Sequence, residues 1–213
     1  MNRIEYIVRV DLYQYVYLNY FCKNVVRKGT GKIIPYKHCV IDLEEGSRIV
    51  IHDQSIEIGT EAFRHSKTET LVRLRKNAIW DAQESCSINY GCTVEVLQNA
   101  ELKTEYFTMN SSSTIVCAKA ITLGHDVMIA RNVVIYDSDF HAITDEDGKI
   151  LNKPKRVVIG DHVWIGTNAT VLKGSEIGNN SIIGACEIVK GKLAENKILT
   201  GQIQKEYTGT WKR

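Results

Sequence analysis

The chain has 213 residues, of which 44% are hydrophobic and 24% are charged, as in an ordinary soluble globular protein. Its 27 Lys and Arg residues nearly balance its 25 Asp and Glu residues, which excludes a protein that binds nucleic acid through a large positive charge. No uncharged apolar run approaches the roughly 18 residues of a transmembrane helix. Fifteen Gly and two Pro residues exclude collagen-like and Pro-rich disordered chains.

The N-terminal segment, residues 1–32, is aromatic and non-repetitive, and we expect it to form a cap. Residues 12–22 suit a helix with Tyr13, Tyr17 and Tyr20 on one face. Membrane interfaces also favour tyrosine, but capping is the favoured interpretation and no membrane contact is expected. The segment lacks the features of a signal peptide, and the six cysteines form no C-x-x-C pair. We therefore expect a cytoplasmic protein with free thiols.

A six-residue repeat dominates the second half of the chain. Its period fits neither an α-helix nor a simple strand, and it predicts short strands joined by tight corners. Three hexads make one coil, and successive coils stack about 4.8 Å apart. An aliphatic residue recurs at Leu123, Ile129, Ile135, Ile159, Ile165, Val171, Ile177, Ile183 and Val189. Compact residues stand four positions later at Val127, Val133, Val163, Ala169, Ser175 and Ser181.

Weaker hexads at residues 58–63 and 88–93 extend the predicted prism over residues 33–200. Residues 141–158 are too polar to line a core, and we expect them to form a loop thrown out from the prism. Residues 201–213 are left as a C-terminal tail. Asparagine tolerates the positive φ that such corners need, which we expect at Asn132, Asn168 and Asn179. The predicted fold is an all-β parallel β-helix.

Two stretches, IYDSDFHAI at 135–143 and VIGDHVWIGTNATVLKGSEIGNNSIIGA at 158–185, carry a family resemblance. They resemble the bacterial sugar and polysaccharide O-acetyltransferases of the hexapeptide acyltransferase family, relatives of the galactoside and maltose acetyltransferases. The resemblance covers about residues 105–200. It implies a left-handed β-helix, a homotrimer, acetyl-CoA as the donor and a sugar or glycan hydroxyl as the acceptor. It implies no metal.

Acetylation of a hydroxyl needs a base that takes the proton as the oxygen attacks, and histidine suits this role. Among the six histidines, His141 stands where the repeat stops, after Asp137 and Asp139, whose carboxylates can orient an imidazole or hold substrate hydroxyls. The resemblance matches His141 to the family's catalytic histidine. It also matches Asn110 to an asparagine that contacts the acceptor sugar. The other candidates are His38, His52, His65, His125 and His162.

By resemblance, the pantetheine arm of coenzyme A lies in a groove between neighbouring prisms. The implied contacts are Trp164 and the backbone around Gly166, Thr167, Gly184 and Ala185. Basic residues on the last coils would meet the phosphates. The C-terminal sequence departs from the family's usual Thr-Lys-Asp turn and Gly-x-Pro-Ala segment, so the phosphate contact stays open between Lys190, Lys192 and Lys205.

Three other functions remain open at this point. An amino-sugar N-acetyltransferase often carries an extra N-terminal nucleotide-sugar domain, for which residues 1–32 are too short. A carbonic anhydrase on this fold needs three zinc-binding histidines, some close in sequence, and the histidines here are widely spaced. A non-catalytic scaffold would give no reason for Asp139, Phe140 and His141 to stand at the break in the repeat.

Overall fold

The computed structural model describes residues 9–63, 65–201, 203–206, 209, 211 and 212. The first eight residues of the predicted cap therefore lie outside the described part, as do residues 202, 207, 208, 210 and 213 of the predicted tail.

Three sheets form the walls of a prism, and the chain visits them in the same order on every coil. The first sheet contains β1 (Val25–Arg27), β4 (Arg48–Ile51), β7 (Ile79–Ala82), β10 (Glu101–Thr104), β13 (Ala120–Leu123), β16 (Val157–Ile159), β19 (Glu176–Ile177) and β22 (Lys192–Leu193). The second contains β2 (Ile33–Pro35), β5 (Ile56–Thr60), β8 (Cys86–Asn89), β11 (Phe107–Met109), β14 (Val127–Ile129), β17 (Trp164–Ile165), β20 (Ile182–Ile183), β23 (Lys197–Thr200) and β24 (Ile203–Glu206). The third contains β3 (Cys39–Leu43), β6 (Thr70–Leu74), β9 (Thr93–Val96), β12 (Thr114–Cys117), β15 (Val134–Tyr136), β18 (Thr170–Val171) and β21 (Ile188–Val189).

The pairing is parallel from coil to coil, and in the described chain only β24 runs antiparallel to its neighbour, β23. This is the predicted left-handed parallel β-helix. The sheets meet at three corners, which we call the 1–2, 2–3 and 3–1 corners after the sheets they join. Every candidate site residue can be placed on one of these sheets or corners.

The core of the prism is built by the six-residue repeat. All nine aliphatic residues of the series are at most 3% exposed, and the six compact residues that follow them are fully buried. Register explains this burial, since Ile129 pairs with Ile165 and Ile165 with Ile183 across successive coils. Each aliphatic side chain therefore stacks on its equivalent in the next coil and is removed from water.

The corners confirm two of the three predicted asparagine positions. Asn132 and Asn168 have φ values of +57° and +62°. The third prediction was wrong by one residue, because the left-handed position is Asn180, with φ of +53°. Asn179 instead accepts a hydrogen bond at its side-chain oxygen from the Asp161 N–H, at 2.8 Å, and so ties two coils together.

An N-terminal cap closes one end of the prism. It consists of α1 (Leu12–Val16) and a π-helical segment (Tyr17–Phe21), which together account for the helix predicted over residues 12–22. Asn19 is buried under this cap and exchanges two hydrogen bonds with the backbone of Ile33. No helix within the described ranges is long and apolar enough to cross a membrane.

The coils begin earlier than residue 33. Strand β1 lies within the segment predicted as cap, yet it pairs in parallel with β4, because Val25 is in register with Ile49 and both are buried.

The six cysteines are free thiols, as predicted, and only Cys186 is exposed. Burial raises the pKa of Cys39 to about 12 and that of Cys92 to about 11. These thiols stay protonated and act as small core residues.

The predicted loop is extruded at the 3–1 corner, between Tyr136 and Val157. Its boundary differs slightly from the expected 141–158, since Val157 and Val158 belong to β16 and pair with Ile121 and Thr122 of β13. We call residues 137–156 the extruded loop.

Candidate active site

His141 lies on the extruded loop and is exposed to solvent. Its backbone N–H donates to the carbonyl of Asp139 at 2.8 Å, and its own carbonyl accepts from the Asn152 side chain at 2.8 Å. The backbone on both sides of the imidazole is thus held in place, while the ring can meet a molecule from solution.

The residue before His141 has a strained backbone. Phe140 has φ of +62°, a left-handed conformation that costs an aromatic residue of order 1 kcal/mol or more. Its N–H donates to Ser138 Oγ at 2.9 Å, and its ring packs edge-on against Tyr136, with centroids 5.1 Å apart. The Ser138 hydroxyl and the Tyr136 ring are contacts that maintain this conformation.

Asp139 anchors the start of the loop. Its Oδ2 atom accepts hydrogen bonds from the Lys173 ammonium and from Asn152 Nδ2, the latter at 2.9 Å. The Lys173 ammonium, followed by the Asn152 amide, holds the pKa of the Asp139 carboxyl below its usual range. Its side chain is 45% exposed, so the carboxylate remains open to a ligand on its other side.

Asp137 corrects the sequence prediction of a substrate contact. It is fully buried, and its carboxylate accepts from the backbone N–H groups of Ala118, Lys119 and Ala120 at 2.6 to 2.7 Å. A buried carboxylate saturated by three amides has no face left for an acceptor sugar. Asp137 instead closes the 3–1 corner of the preceding coil.

Asn110 lies at the 2–3 corner, directly after β11. Its side-chain oxygen accepts from Asn89 Nδ2 at 2.9 Å, and Asn89 in turn accepts from the Thr60 hydroxyl at 2.7 Å. His141 is on the 3–1 corner, so one chain places these two predicted site residues on different edges of the prism.

The predicted coenzyme A contacts share the edge on which Asn110 lies. Gly166 and Thr167 follow β17 at the 2–3 corner, and Gly184 and Ala185 follow β20 one coil later. A Cβ on Gly166 would lie 2.7 Å from the Ala185 nitrogen, so glycine is required there for the coils to stack.

Trp164 presents an aromatic surface beside this corner. It lies on the outer face of the second sheet, in register with Met128 and Ile182, and is 38% exposed.

The three candidate phosphate contacts are all exposed and lie on the last coils, but at different places. Lys190 is at the 3–1 corner, where its charge also helps to lower the pKa of Asp139. Lys192 is on β22 of the first sheet, and Lys205 is on the antiparallel strand β24. Lys190 and Lys192 line one cavity of about 160 Å³ on the last coils, together with Gln204.

The histidines at the 1–2 corner differ from His141, because their rings lie beside carboxylates. His125 Nδ1 lies 2.7 Å from Glu84, and His162 Nδ1 lies 2.6 Å from Asp126. Potential ligand atoms of His125, Glu84 and Glu105 lie within 4.8 Å of one another. The prediction of no metal stays a prediction.

Comparison with known proteins identifies the repeats. Residues 156–186 match the family described as "Bacterial transferase hexapeptide (six repeats)". This range of the chain is therefore similar to the repeats of that family. The matched range includes the Gly166 and Gly184 corners, and the resemblance stated from the motifs is confirmed.

Two curated relatives are O-acetyltransferases by name. The chain is 32% identical over 122 residues to a putative lipopolysaccharide biosynthesis O-acetyl transferase, WbbJ, of Escherichia coli, covering 49% of this chain and 61% of the relative. It is 36% identical over 91 residues to the polysialic acid O-acetyltransferase of Neisseria meningitidis, covering 42% of this chain and 39% of the relative. The chain thus spans roughly half the length of the curated relatives it matches.

A solved structure supports the fold over almost the whole chain. The polysialic acid O-acetyltransferase OatWY superposes with a TM-score of 0.62 and 23% identity, over 89% of this chain and 91% of that one. The β-helical fold therefore extends through the degenerate N-terminal coils as well as through the regular ones.

Sequence reasoning missed Asn152 and Lys173, although both contact the segment that carries His141. Asn152 stands in a polar loop without a periodic signal, and Lys173 occupies an outward position of a hexad where a solvated lysine is the ordinary expectation. The composition of the loop and the hexad pattern do not show that Lys173 and Asn152 are in contact.

Proposed function

We propose that this chain is an acetyl-CoA-dependent O-acetyltransferase that acts on a sugar hydroxyl, with His141 as the general base. The observation that carries the proposal is the exposed His141 imidazole on a loop whose backbone is held on both sides by Asn152 and Asp139. The O-acetyltransferase relatives supply the reaction class. Surface polysaccharide or glycoconjugate synthesis in the cytoplasm is the corresponding role.

The reaction follows from the chemistry of the residues at the loop. The acceptor hydroxyl attacks the thioester carbonyl of acetyl-CoA while His141 takes the hydroxyl proton. The tetrahedral intermediate then collapses with cleavage of the carbon–sulfur bond, and the imidazolium returns the proton to the leaving thiolate. In this proposal the open side of the Asp139 carboxylate accepts a hydrogen bond from another hydroxyl of the acceptor.

In this proposal acetyl-CoA binds at the 2–3 corner. Asn110, on the same corner, contacts the acceptor sugar. The pantetheine arm runs along Gly166 and Gly184 and packs on Trp164, and the basic residues of the last coils meet the nucleotide phosphates. Because His141 and Asn110 lie on different corners of one prism, we infer a cyclic homotrimer in which neighbouring chains complete each site.

The direct test is incubation of the purified chain with acetyl-CoA and a panel of sugars and glycans, with thiol release as the readout. Mass spectrometry of the product before and after mild alkali distinguishes an O-acetyl ester from an N-acetyl amide, because alkali removes only the ester. Thiol release that depends on a hydroxyl acceptor is expected. Release only with amino sugars, or none with any acceptor class, would refute the proposal.

Subunit mixing tests the shared site. His141→Ala and Asn110→Ala chains are each expected to be impaired, and their co-assembly should restore part of the activity, since some interfaces then combine both native residues. No recovery in verified mixed trimers, or a monomer by light scattering, would contradict a site between chains.

A further inference from the structure

Lys173 is a partly buried cation that reaches from a regular coil into the extruded loop. It follows β18 at the 3–1 corner, and its side chain is only 19% exposed. Its ammonium donates to Asp139 Oδ2 and, at 2.9 Å, to the carbonyl of Asn152. One side chain therefore binds both the segment that leaves the prism, at Asp139, and the segment that returns to it, at Asn152.

Asn152 extends this bridge to His141. Its Nδ2 donates to Asp139 Oδ2 at 2.9 Å and to the His141 carbonyl at 2.8 Å. Its Oδ1 accepts from the Ile143 N–H at 2.7 Å. The amide group thus binds the backbone on both sides of Ala142 and leaves His141 little freedom to shift.

Within one chain, apolar packing does not hold this part of the loop. Ile143, Ile150 and Leu151 are all exposed, and residues 141–151 contribute none of the described buried core. Fixing an exposed segment costs conformational entropy, so the polar contacts must supply the opposing free energy. Hydrogen bonds to charged groups are the strong ones in such a setting.

We propose that Lys173 and Asn152 are positioning residues for the candidate base: through Asp139 they clamp the extruded loop to the prism and fix the place of His141. This inference rests on the proposed function for its catalytic part. The clamp itself is a property of the loop and can be measured without any substrate.

The experiment compares Lys173→Met and Asn152→Ala with Lys153→Met as a matched control, all in the full chain. Lys153 is an exposed lysine of the same loop. Hydrogen exchange of the Leu151 amide, which donates to the Ile143 carbonyl, reports on the loop in both variants. The Ile143 amide reports on it in Lys173→Met only, because Asn152→Ala removes the acceptor of that amide. We expect exchange to be at least about 10-fold faster in the two clamp variants and unchanged in the control, with the melting temperature preserved, because Asp139 can be solvated when its partner is lost.

Kinetics supply the second readout. Displacing a base by about 1 Å lowers turnover on the order of 10- to 100-fold, so kcat should fall by that factor in both clamp variants while the KM for acetyl-CoA stays unchanged. Lys173→Arg keeps the charge and the donors and should recover part of the turnover, although the guanidinium has a different geometry.

Each outcome has a separate meaning for the two proposals. Unchanged loop exchange in both clamp variants would overturn the clamp, whatever the activity. Faster exchange with native kcat in an active enzyme would overturn the positioning role. Faster exchange in a protein that acetylates no acceptor would support the clamp and count against the proposed function alone. If Lys173→Met failed to fold, Asn152→Ala would decide the same question.

Discussion

Asp137 and Asp139 stand two residues apart, where the last strand before the break gives way to the extruded loop, and their surroundings are opposite. Asp137 is buried and bound by three backbone amides of the preceding coil. Asp139 is half-exposed and bound by the side chains of Lys173 and Asn152. The backbone of the prism therefore orders the first aspartate, whereas two distant side chains order the second.

The same contrast separates the coils from the loop as a whole. The coils gain their order by burying an aliphatic residue at each hexad, so their stability is distributed over many equivalent contacts. The order of the extruded loop depends on a small number of polar contacts, chiefly those of Lys173 and Asn152. If the proposed function holds, stability lies in the coils and catalysis on the loop, as expected when a rigid scaffold carries a functional loop.

Loss of the candidate base should have the largest effect. We expect His141→Ala to lower kcat about 100-fold or more, because a positioned base contributes that much, with thermal stability and coenzyme A binding unchanged. Steady-state kinetics and calorimetric titration measure the two quantities. His125→Gln, an exposed histidine at the 1–2 corner, is the control and should remain fully active. Native turnover in His141→Ala would end the assignment.

The two aspartates give the sharpest test of the division between coil and loop. Asp137→Ala removes the buried carboxylate that accepts from three backbone N–H groups and should cost about 3 kcal/mol of stability. Asp139→Ala should leave the urea midpoint nearly native while it lowers turnover, because only the loop is released. Equal loss of stability in both variants would show that Asp139, at the start of the loop, stabilises the fold as much as Asp137 does.

Two glycine substitutions, one in the coils and one in the loop, test the same comparison with smaller expected losses of stability. In Gly166→Ala the new Cβ would meet the backbone of the next coil at 2.7 to 2.8 Å, and such overpacking costs about 2 kcal/mol. In Gly148→Ala the Cβ has no described atom within 4 Å, and only the φ of +77° opposes it, at about 1 kcal/mol. Urea denaturation of both proteins checks the order, which would be reversed if the loop were the stiffer region.

The exposed lysines at the end of the coils should have a smaller, purely binding effect. If Lys190 and Lys192 meet the coenzyme A phosphates, changing both to Ala should raise the KM for acetyl-CoA several-fold with little change in kcat. Acetyl-pantetheine lacks the nucleotide and serves as the control donor. Equal impairment with both donors would mean that the lysines support the last coil and leave Lys205 as the remaining candidate.

The pH dependence of the loop should be the weakest effect. Since Lys173 and Asn152 hold the pKa of Asp139 below its usual range, the stabilisation by this carboxylate is present above the ordinary Asp pKa of about 3.9 and is lost only as the pH falls through the lower folded value. Loop amide protection, corrected for intrinsic exchange, should stay constant between about pH 5 and pH 8. A loss of protection within that window would indicate another titrating group.

The sequence by itself determined the β-helix. A period of six, with aliphatic and compact residues at fixed positions, predicts stacked coils of short strands, and all fifteen residues singled out are buried as expected. The handedness came from the family resemblance and not from the period. It also located the break in the repeat and the exposed His141. These features are local, because each hexad is read from its own residues and contacts only its neighbours.

Only the tertiary structure decided which polar residues near His141 are structural. Spacing alone made Asp137 and Asp139 equivalent, whereas their different backbone environments buried one and exposed the other. The Lys173 bridge joins residues 34 positions apart, and the Asn110 and His141 corners are separated by the third sheet. Such contacts depend on where the coils bring side chains together in space, which a periodic pattern along the chain does not encode.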